Sequence, residues 1–386
     1  MKQAATYQPL AYADVPGWES DDHGAAFRAF LKSCDRVLAA ARGRIVPDGK
    51  PQPAPPPPGL VAACTEAGRL AQEGNVDARA FFERHFTPNA VRHAGAAGLV
   101  TGYYEPLLEG SRTPQAEFRT PLYKRPPDLV NLIDETDRAS VGRALTHARK
   151  TDKGYEPYAT RAAIEQGALQ GRNLELLYLA DPVEAFFLHI QGSGRVKLTD
   201  GSMIRVHYDG KNGHPYSSIG RYLIDKGLFA ADKMSMGALK RWLKADPERA
   251  KQVMWQNASF VFFRELAGSE ARAPMGAMQA PLTAGRSLAV DPAYHALGLP
   301  VFVTAADMRH VDRATGAFRR LMIAQDVGSA IKGPERGDIF FGSGRAAGRL
   351  AGATKHPARF VVLLPNEASA RGEAVRGSGA PAKARQ

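Results

Sequence analysis

The sequence predicts a mainly β protein with a helical N-terminal section, and three observations predict it. Before residue 97 the apolar residues recur at helical spacing; after it, short apolar or alternating runs bounded by turn residues dominate. Strand-like runs also lie both before and after a strand-rich middle, which points to a discontinuous domain carrying an insertion. Finally, 386 residues are enough for two domains.

Taken in order, Asp21-Asp22 precedes a helix over Ala25 to Ala41, with Phe27, Phe30, Leu31, Val37 and Leu38 on one stripe. Cys34 falls on that stripe and should face the core. Pro47 to Gly59, with four prolines at 55–58, reads as a stiff linker. Leu60 to Gln72 and Asp77 to His85 read as further helices, and Phe86-Thr87-Pro88 as the end of that block. Val196 to Val206 is the clearest hairpin: two alternating runs flank Asp200-Gly201, the pair favoured in a type I′ turn. Helices are expected over Ile219 to Leu228, Ser235 to Ala245 and Pro247 to Gln256. Strands return at Phe260–Phe263, Ser287–Val290, Val301–Val303, Phe318–Ile323 and Phe360–Leu364. Residues 366–386 are small, polar and basic, and are expected to be a disordered tail.

The net charge of +12 suits a polyanion or an anionic surface, but the Lys and Arg residues are dispersed, with no run beyond pairs. No recognition-helix or zinc-finger pattern appears, so nucleic acid is not the expected partner. No apolar run approaches the roughly 18 residues a membrane span needs. Met1 to Asp14 show neither a basic-plus-apolar leader nor a cysteine that could carry a lipid. Two cysteines, Cys34 and Cys64, exclude a four-cysteine zinc site. They are either two buried thiols or, in an oxidising compartment, a bridge closing about thirty residues. His189, His207 and His214 lack zinc spacing, neither Gly-Ser-Gly is a serine-hydrolase elbow, and no phosphate loop occurs; no metal or cofactor is expected.

The most informative stretch is Gln325-Asp326-Val327-Gly328-Ser329-Ala330-Ile331-Lys332-Gly333, followed by Gly337-Asp338-Ile339-Phe340-Phe341-Gly342-Ser343-Gly344. Asp326 follows one apolar run and Asp338 precedes another, so each sits at the end of a buried strand. A rigid scaffold there holds a carboxyl that can reach a cleft, as proton transfer requires. The plainer alternative is that both acids cap turns.

These segments resemble the C-terminal signature of the MltA family of lytic murein transglycosylases. The likeness extends to Thr101-Gly102-Tyr103-Tyr104-Glu105-Pro106, Phe118 to Tyr123, His189-Ile190-Gln191-Gly192-Ser193-Gly194, Tyr208 to Tyr216, Asn257 to Phe263 and Pro281 to Asp291. Each motif is weak alone; their order and spacing over roughly residues 98 to 365 make the match specific. The resemblance implies a double-psi β-barrel from 1–105 and 265–365, helices at its N-terminal end, and a second β-domain inserted at 106–264. It implies cleavage of the β-1,4 bond between N-acetylmuramic acid and N-acetylglucosamine in peptidoglycan, with a 1,6-anhydro product. It also implies a periplasmic, outer-membrane-associated location and glycan strands as partner, with a cell-wall enzyme complex as a further one.

The resemblance places Asp338 at the catalytic position. A tethered C6 hydroxyl needs no water, so one carboxyl can act first as acid and then as base. Ile339, Phe340 and Phe341 would desolvate that acid and raise its pKa, whereas Lys332 and Arg336 would oppose them. Asp326 is expected to bind sugar or to keep Asp338 protonated by repulsion. Thr101, Gly102, Tyr103 and Tyr104 should line the groove, although alternation sends the two tyrosines to opposite faces, so at most one stacks on glycan. Gln191 and Ser193 are candidates for acetamido groups, and Lys332 for a substrate carboxylate. A non-catalytic glycan-binding protein is the alternative function.

Overall fold

The computed structural model describes residues 4–43, 55–74, 76–95, 97–131, 145–268, 273–328 and 330–367. Most of the proline-rich linker and nearly all of the expected tail lie outside the described residues.

The chain opens with β1 (Ala5–Pro9), α1 (His23–Ala41), α2 (Pro58–Glu73) and α3 (Ala78–His85). Asp22 and Asp77 cap α1 and α3 by accepting the Ala25 and Ala80 amides. Cys34 and Cys64 are disulfide-bonded across α1 and α2, with Cα atoms 4.9 Å apart. Of the two alternatives the sequence left, the structure takes the bridge. Phe27, Phe30, Phe81, Phe82 and Phe86 stack edge-on beneath these helices, all nearly devoid of exposure.

The helical block ends at His85, as expected, and the chain turns straight into a strand. Phe86–His93 is a strand, β2, and Pro88 is tolerated in it. β3 (Leu99–Glu105) follows, and one residue later the chain enters β4 (Leu107–Ser111). Then come β5 (Thr120–Tyr123), the small sheet β6 (Leu129–Asn131), β7 (His147–Thr151) and β8 (Gly154–Glu156), and β9 (Glu175–Leu179). α4 (Pro182–Gln191), β10 (Ser193–Leu198) and β11 (Met203–Lys211) follow. The helices α5 (Ile219–Asp225), α6 (Met236–Lys244) and α7 (Pro247–Met254) precede β12 (Val261–Leu266). The last part holds β13 (Ser287–Val290), β14 (Pro300–Ala305), β15 (Phe318–Val327), β16 (Arg336–Ser343), α8 (Gly344–Ala353) and β17 (Lys355–Pro365).

Six strands close on themselves in the order β17-β14-β15-β13-β16-β3, with β3 pairing back to β17. Within this barrel β13–β15 and β3–β16 are parallel and the rest antiparallel. This is the mainly β, closed-barrel fold that the sequence reading expected. β1 and β2 extend the sheet past β17. A second sheet, β12-β11-β10-β4-β9-β5, is built entirely from residues 107–266, between two barrel strands in chain order.

Two local expectations are corrected. Asp200-Gly201 is not a type I′ turn: only Gly201 has positive φ, at +84°, and Ser202 accepts a bond from Leu198 across a longer loop. α8 was not foreseen, because Gly344, Gly348 and Gly352 penalise a helix. Packing explains it: a Cβ on Gly348 would lie 2.8 Å from the Tyr104 ring. Among the described residues no helix is long and apolar enough to cross a membrane.

Candidate active site

Both acids lie inside strands rather than at turns. Asp338 is the third residue of β16 and Asp326 the ninth of β15. The strand between them is β13, and Ala289 is in register with both. Residues aligned across a sheet share a face, so the two carboxyls project side by side, about 9.5 Å apart at the backbone. A β-bulge makes this possible. The register of β13 on β15 slips between Leu288 and Ala289, which turns Gln325 away from the acids. The buried Gln325 amide then bonds Ala29, Ser33 and Ser287 beneath α1.

On the other side of Asp338, β3 supplies Thr101 in register with it and Tyr103 in register with Phe340. The Thr101 hydroxyl donates to Asp338 Oδ1 at 2.6 Å, and Arg336 Nη2 donates to Thr101 Oγ1 at 2.8 Å. Because the threonine oxygen already accepts from a guanidinium, its only proton points at Asp338. Among the described residues the carboxyl makes no other hydrogen bond, which leaves Oδ2 for a proton. Burial lifts the Asp338 pKa from 3.8 to about 6; the Thr101 bond and Arg336 oppose the rise, and Asp326 adds to it. Of the opposing forces weighed from sequence, desolvation wins.

Asp326 is held differently. Its Oδ1 accepts from the Ala277 and Val327 amides at 2.8 and 2.9 Å, and its Oδ2 from the Tyr103 hydroxyl at 2.9 Å. Burial still raises its pKa against these three donors. Tyr103 lies with its ring 5.2 Å from that of Phe340, and burial between the two acids pushes its phenol well up.

The structure thus gathers Thr101, Tyr103, Asp326 and Asp338 on one face and removes others from it. Gly102 points the opposite way: a Cβ there would lie 2.6 Å from Phe341 and 2.7 Å from Ala351 of α8. The close packing of α8 on β3 therefore requires glycine at this position. Tyr104 also faces away, 9% exposed in the core. Its backbone amide donates to Gln191 Oε1 at 3.1 Å, so Gln191 ties α4 to β3 through that oxygen. Ser193 is buried at the start of β10, opposite His207. Lys332 is exposed, 3.8 Å from Asp291; burial, with the Lys332 charge adding to it, lowers the pKa of Lys211 on β11 of the second sheet. Arg336 and Lys211 were not singled out as site residues; Arg336 precedes Asp338 by two, the alternation that places both on one face. Two cavities of about 990 and 720 Å³ are lined by neither Asp326 nor Asp338. Among the described residues no cluster of His, Cys, Asp or Glu could hold a metal ion.

The chain resembles known proteins along most of its length. The MltA specific insert domain matches residues 99–264 and the 3D domain residues 286–364. The crystal structure of a membrane-bound lytic murein transglycosylase from Agrobacterium tumefaciens is 37% identical, covering 93% of this chain and 98% of that one with a TM-score of 0.81. MltA from Escherichia coli with bound chitohexaose is 26% identical, covering 94% of each chain, with a TM-score of 0.63. The curated membrane-bound lytic murein transglycosylase A of Escherichia coli K12 is 34% identical over 267 residues, 68% of this chain, and the match spans 64% of that relative's length. Both halves of the architecture and nearly the whole of a solved relative are matched: the chain belongs to the MltA family.

Proposed function

We propose that this protein is a lytic transglycosylase that cleaves the β-1,4 bond between N-acetylmuramic acid and N-acetylglucosamine in peptidoglycan. The observation that carries the reading is the inequality of the two acids. Asp326 has both oxygens committed to protein donors, whereas Asp338 keeps one oxygen free and a pKa raised to about 6. A conventional glycosidase needs two working carboxyls, one for the leaving oxygen and one for water or C1. A site with one free carboxyl suits internal attack.

In this mechanism neutral Asp338 gives its proton to the glycosidic oxygen as the C1–O bond breaks. The resulting carboxylate then takes the proton of the C6 hydroxyl as that oxygen bonds C1, closing the 1,6-anhydro ring and restoring the neutral acid. Thr101 keeps one oxygen occupied throughout, so the proton shuttles on the other. Asp326, whose oxygens already serve three protein donors, keeps Asp338 protonated by repulsion. Lys332 and Lys211 offer positive charge to the carboxylates of murein. The chitohexaose held by the Escherichia coli relative supports a β-1,4-linked amino-sugar strand as the ligand class. The same reading divides the chain into 1–105 with 265–365 and 106–264. It puts the protein in the periplasm, where the Cys34–Cys64 bridge is at home.

Digestion of purified murein in ¹⁸O-water with mass analysis tests this. The expected products are unlabelled 1,6-anhydromuropeptides, and Asp338→Asn should lower their formation at least ~10²-fold while folded. Label at C1 of the released muramyl residue would replace the proposal with a conventional hydrolase.

A further inference from the structure

The chain leaves the barrel for the second sheet across a single residue, Pro106, between β3 and β4. The return, from Leu266 to Ser287, is far longer. The relative orientation of the two sheets is therefore governed at the first crossing. The residue just before it, Glu105, is fully buried. Its Oε1 accepts from Arg205 Nε at 2.5 Å and its Oε2 from Arg205 Nη2 at 3.1 Å. The same Oε2 accepts from the Ser343 hydroxyl at 2.5 Å, and Arg195 Nε lies 3.6 Å away. Arg205 and Arg195 belong to the second sheet; Ser343 is the last residue of β16, the strand that carries Asp338.

A buried carboxylate is costly unless it is paired and hydrogen-bonded, and here the pairing draws on both sheets at once. Ser343 is also the N-cap position of α8, yet its oxygen accepts no cap hydrogen bond, and its proton goes to Glu105. The amide of Arg195 donates to the Pro106 carbonyl at 2.8 Å, which fixes the far side of the crossing.

We propose that Glu105 is a positioning residue. It locks the crossover so that the second sheet keeps one angle over the barrel face bearing Asp338, and so sets the groove width that a glycan strand meets. This rests on the function proposed above. It differs from a plain stability role because the barrel and the second sheet each keep their own core without it.

The test uses the full chain with spin labels at Thr199→Cys on the β10–β11 loop and Ala314→Cys on the barrel, with the native disulfide left intact. Glu105→Gln and Ser343→Ala are compared with the parent for the label distance distribution and for kcat and KM on murein. Glu105→Gln should broaden the distribution. It should raise KM about tenfold, the scale of one charge-assisted hydrogen bond, and leave the pH dependence of kcat in place. Ser343→Ala should move both readouts the same way and less. A folded Glu105→Gln protein with the parent's distribution and KM overturns the proposal. If Glu105→Gln does not fold, an unchanged distribution in Ser343→Ala overturns it. A parent that makes no anhydro product refutes the function reading instead, while the distances still decide whether Glu105 holds the angle.

Discussion

Replacing Asp338 with asparagine should stabilise the protein in mildly alkaline buffer and give a smaller gain in acid. In the folded chain the carboxyl keeps its proton up to about pH 6, whereas an unfolded one releases it near 3.8. Between those values the folded state binds more protons, so the free energy of unfolding falls as pH rises through the window. At 1.36 kcal/mol per unit the whole gap is about 3 kcal/mol. Roughly 1 kcal/mol of it is already lost at about pH 4.5, which leaves ~2 kcal/mol to disappear between there and about pH 8. The amide does not ionise and can still accept the Thr101 hydroxyl through its carbonyl oxygen. Urea unfolding of both proteins at about pH 4.5, 6 and 8 is the assay, and subtracting one stability curve from the other cancels the remaining carboxylates. The asparagine variant should gain ~2 kcal/mol on the parent across that range. A difference that stays flat with pH would refute the claim that burial holds this acid neutral.

Other outcomes follow from the same geometry. Thr101→Val removes the donor that holds the Asp338 pKa down, so the acid form persists higher and the alkaline limb of murein cleavage should move up in pH; an unmoved limb would show that the bond does not tune the acid. Gly102→Ala drives a Cβ to 2.6 Å from Phe341 and should cost about 1–3 kcal/mol in a thermal or urea titration; parental stability would contradict the packing of α8 on β3. Reducing Cys34–Cys64, or replacing both by serine, reopens a loop of sequence separation 30 and should cost ~3–4 kcal/mol; an unshifted urea midpoint would mean the bridge constrains nothing.

The class of fold was legible because strand and helix periodicities differ, and residues such as Phe27, Phe30 and Val37 declare their stripe without tertiary help. Asp338 and Asp326 were legible as a pair because each adjoins an apolar run. Their shared neighbour Ala289 was not, since register across a closed barrel depends on partners more than thirty residues away and on an unpredicted bulge at Gln325. The facing of Gly102 and Tyr104 was hidden for a related reason. A motif names residues that persist together, and in Thr101 to Glu105 alternate members serve opposite faces, one for the acids and one for α8. Gln191 and Ser193 read as polar and available; the structure uses one as an inter-sheet tie and buries the other. Glu105 stood in the motif without a role, because nothing local tells a buried glutamate from a solvated one.

The hydrogen bond from Thr101 to Asp338 joins residues 237 positions apart. β3 is made early, but its barrel partners β16 and β17 come from the last residues of the described chain. The second sheet, complete by Leu266, can assemble while the barrel still lacks five of its six strands. Closure is thus the slow, long-range event, and it is also the event that brings threonine to aspartate. A chain that stops short of β16 carries no acid site, so the chain order itself withholds the chemistry until the last barrel strands are made and the ring has shut.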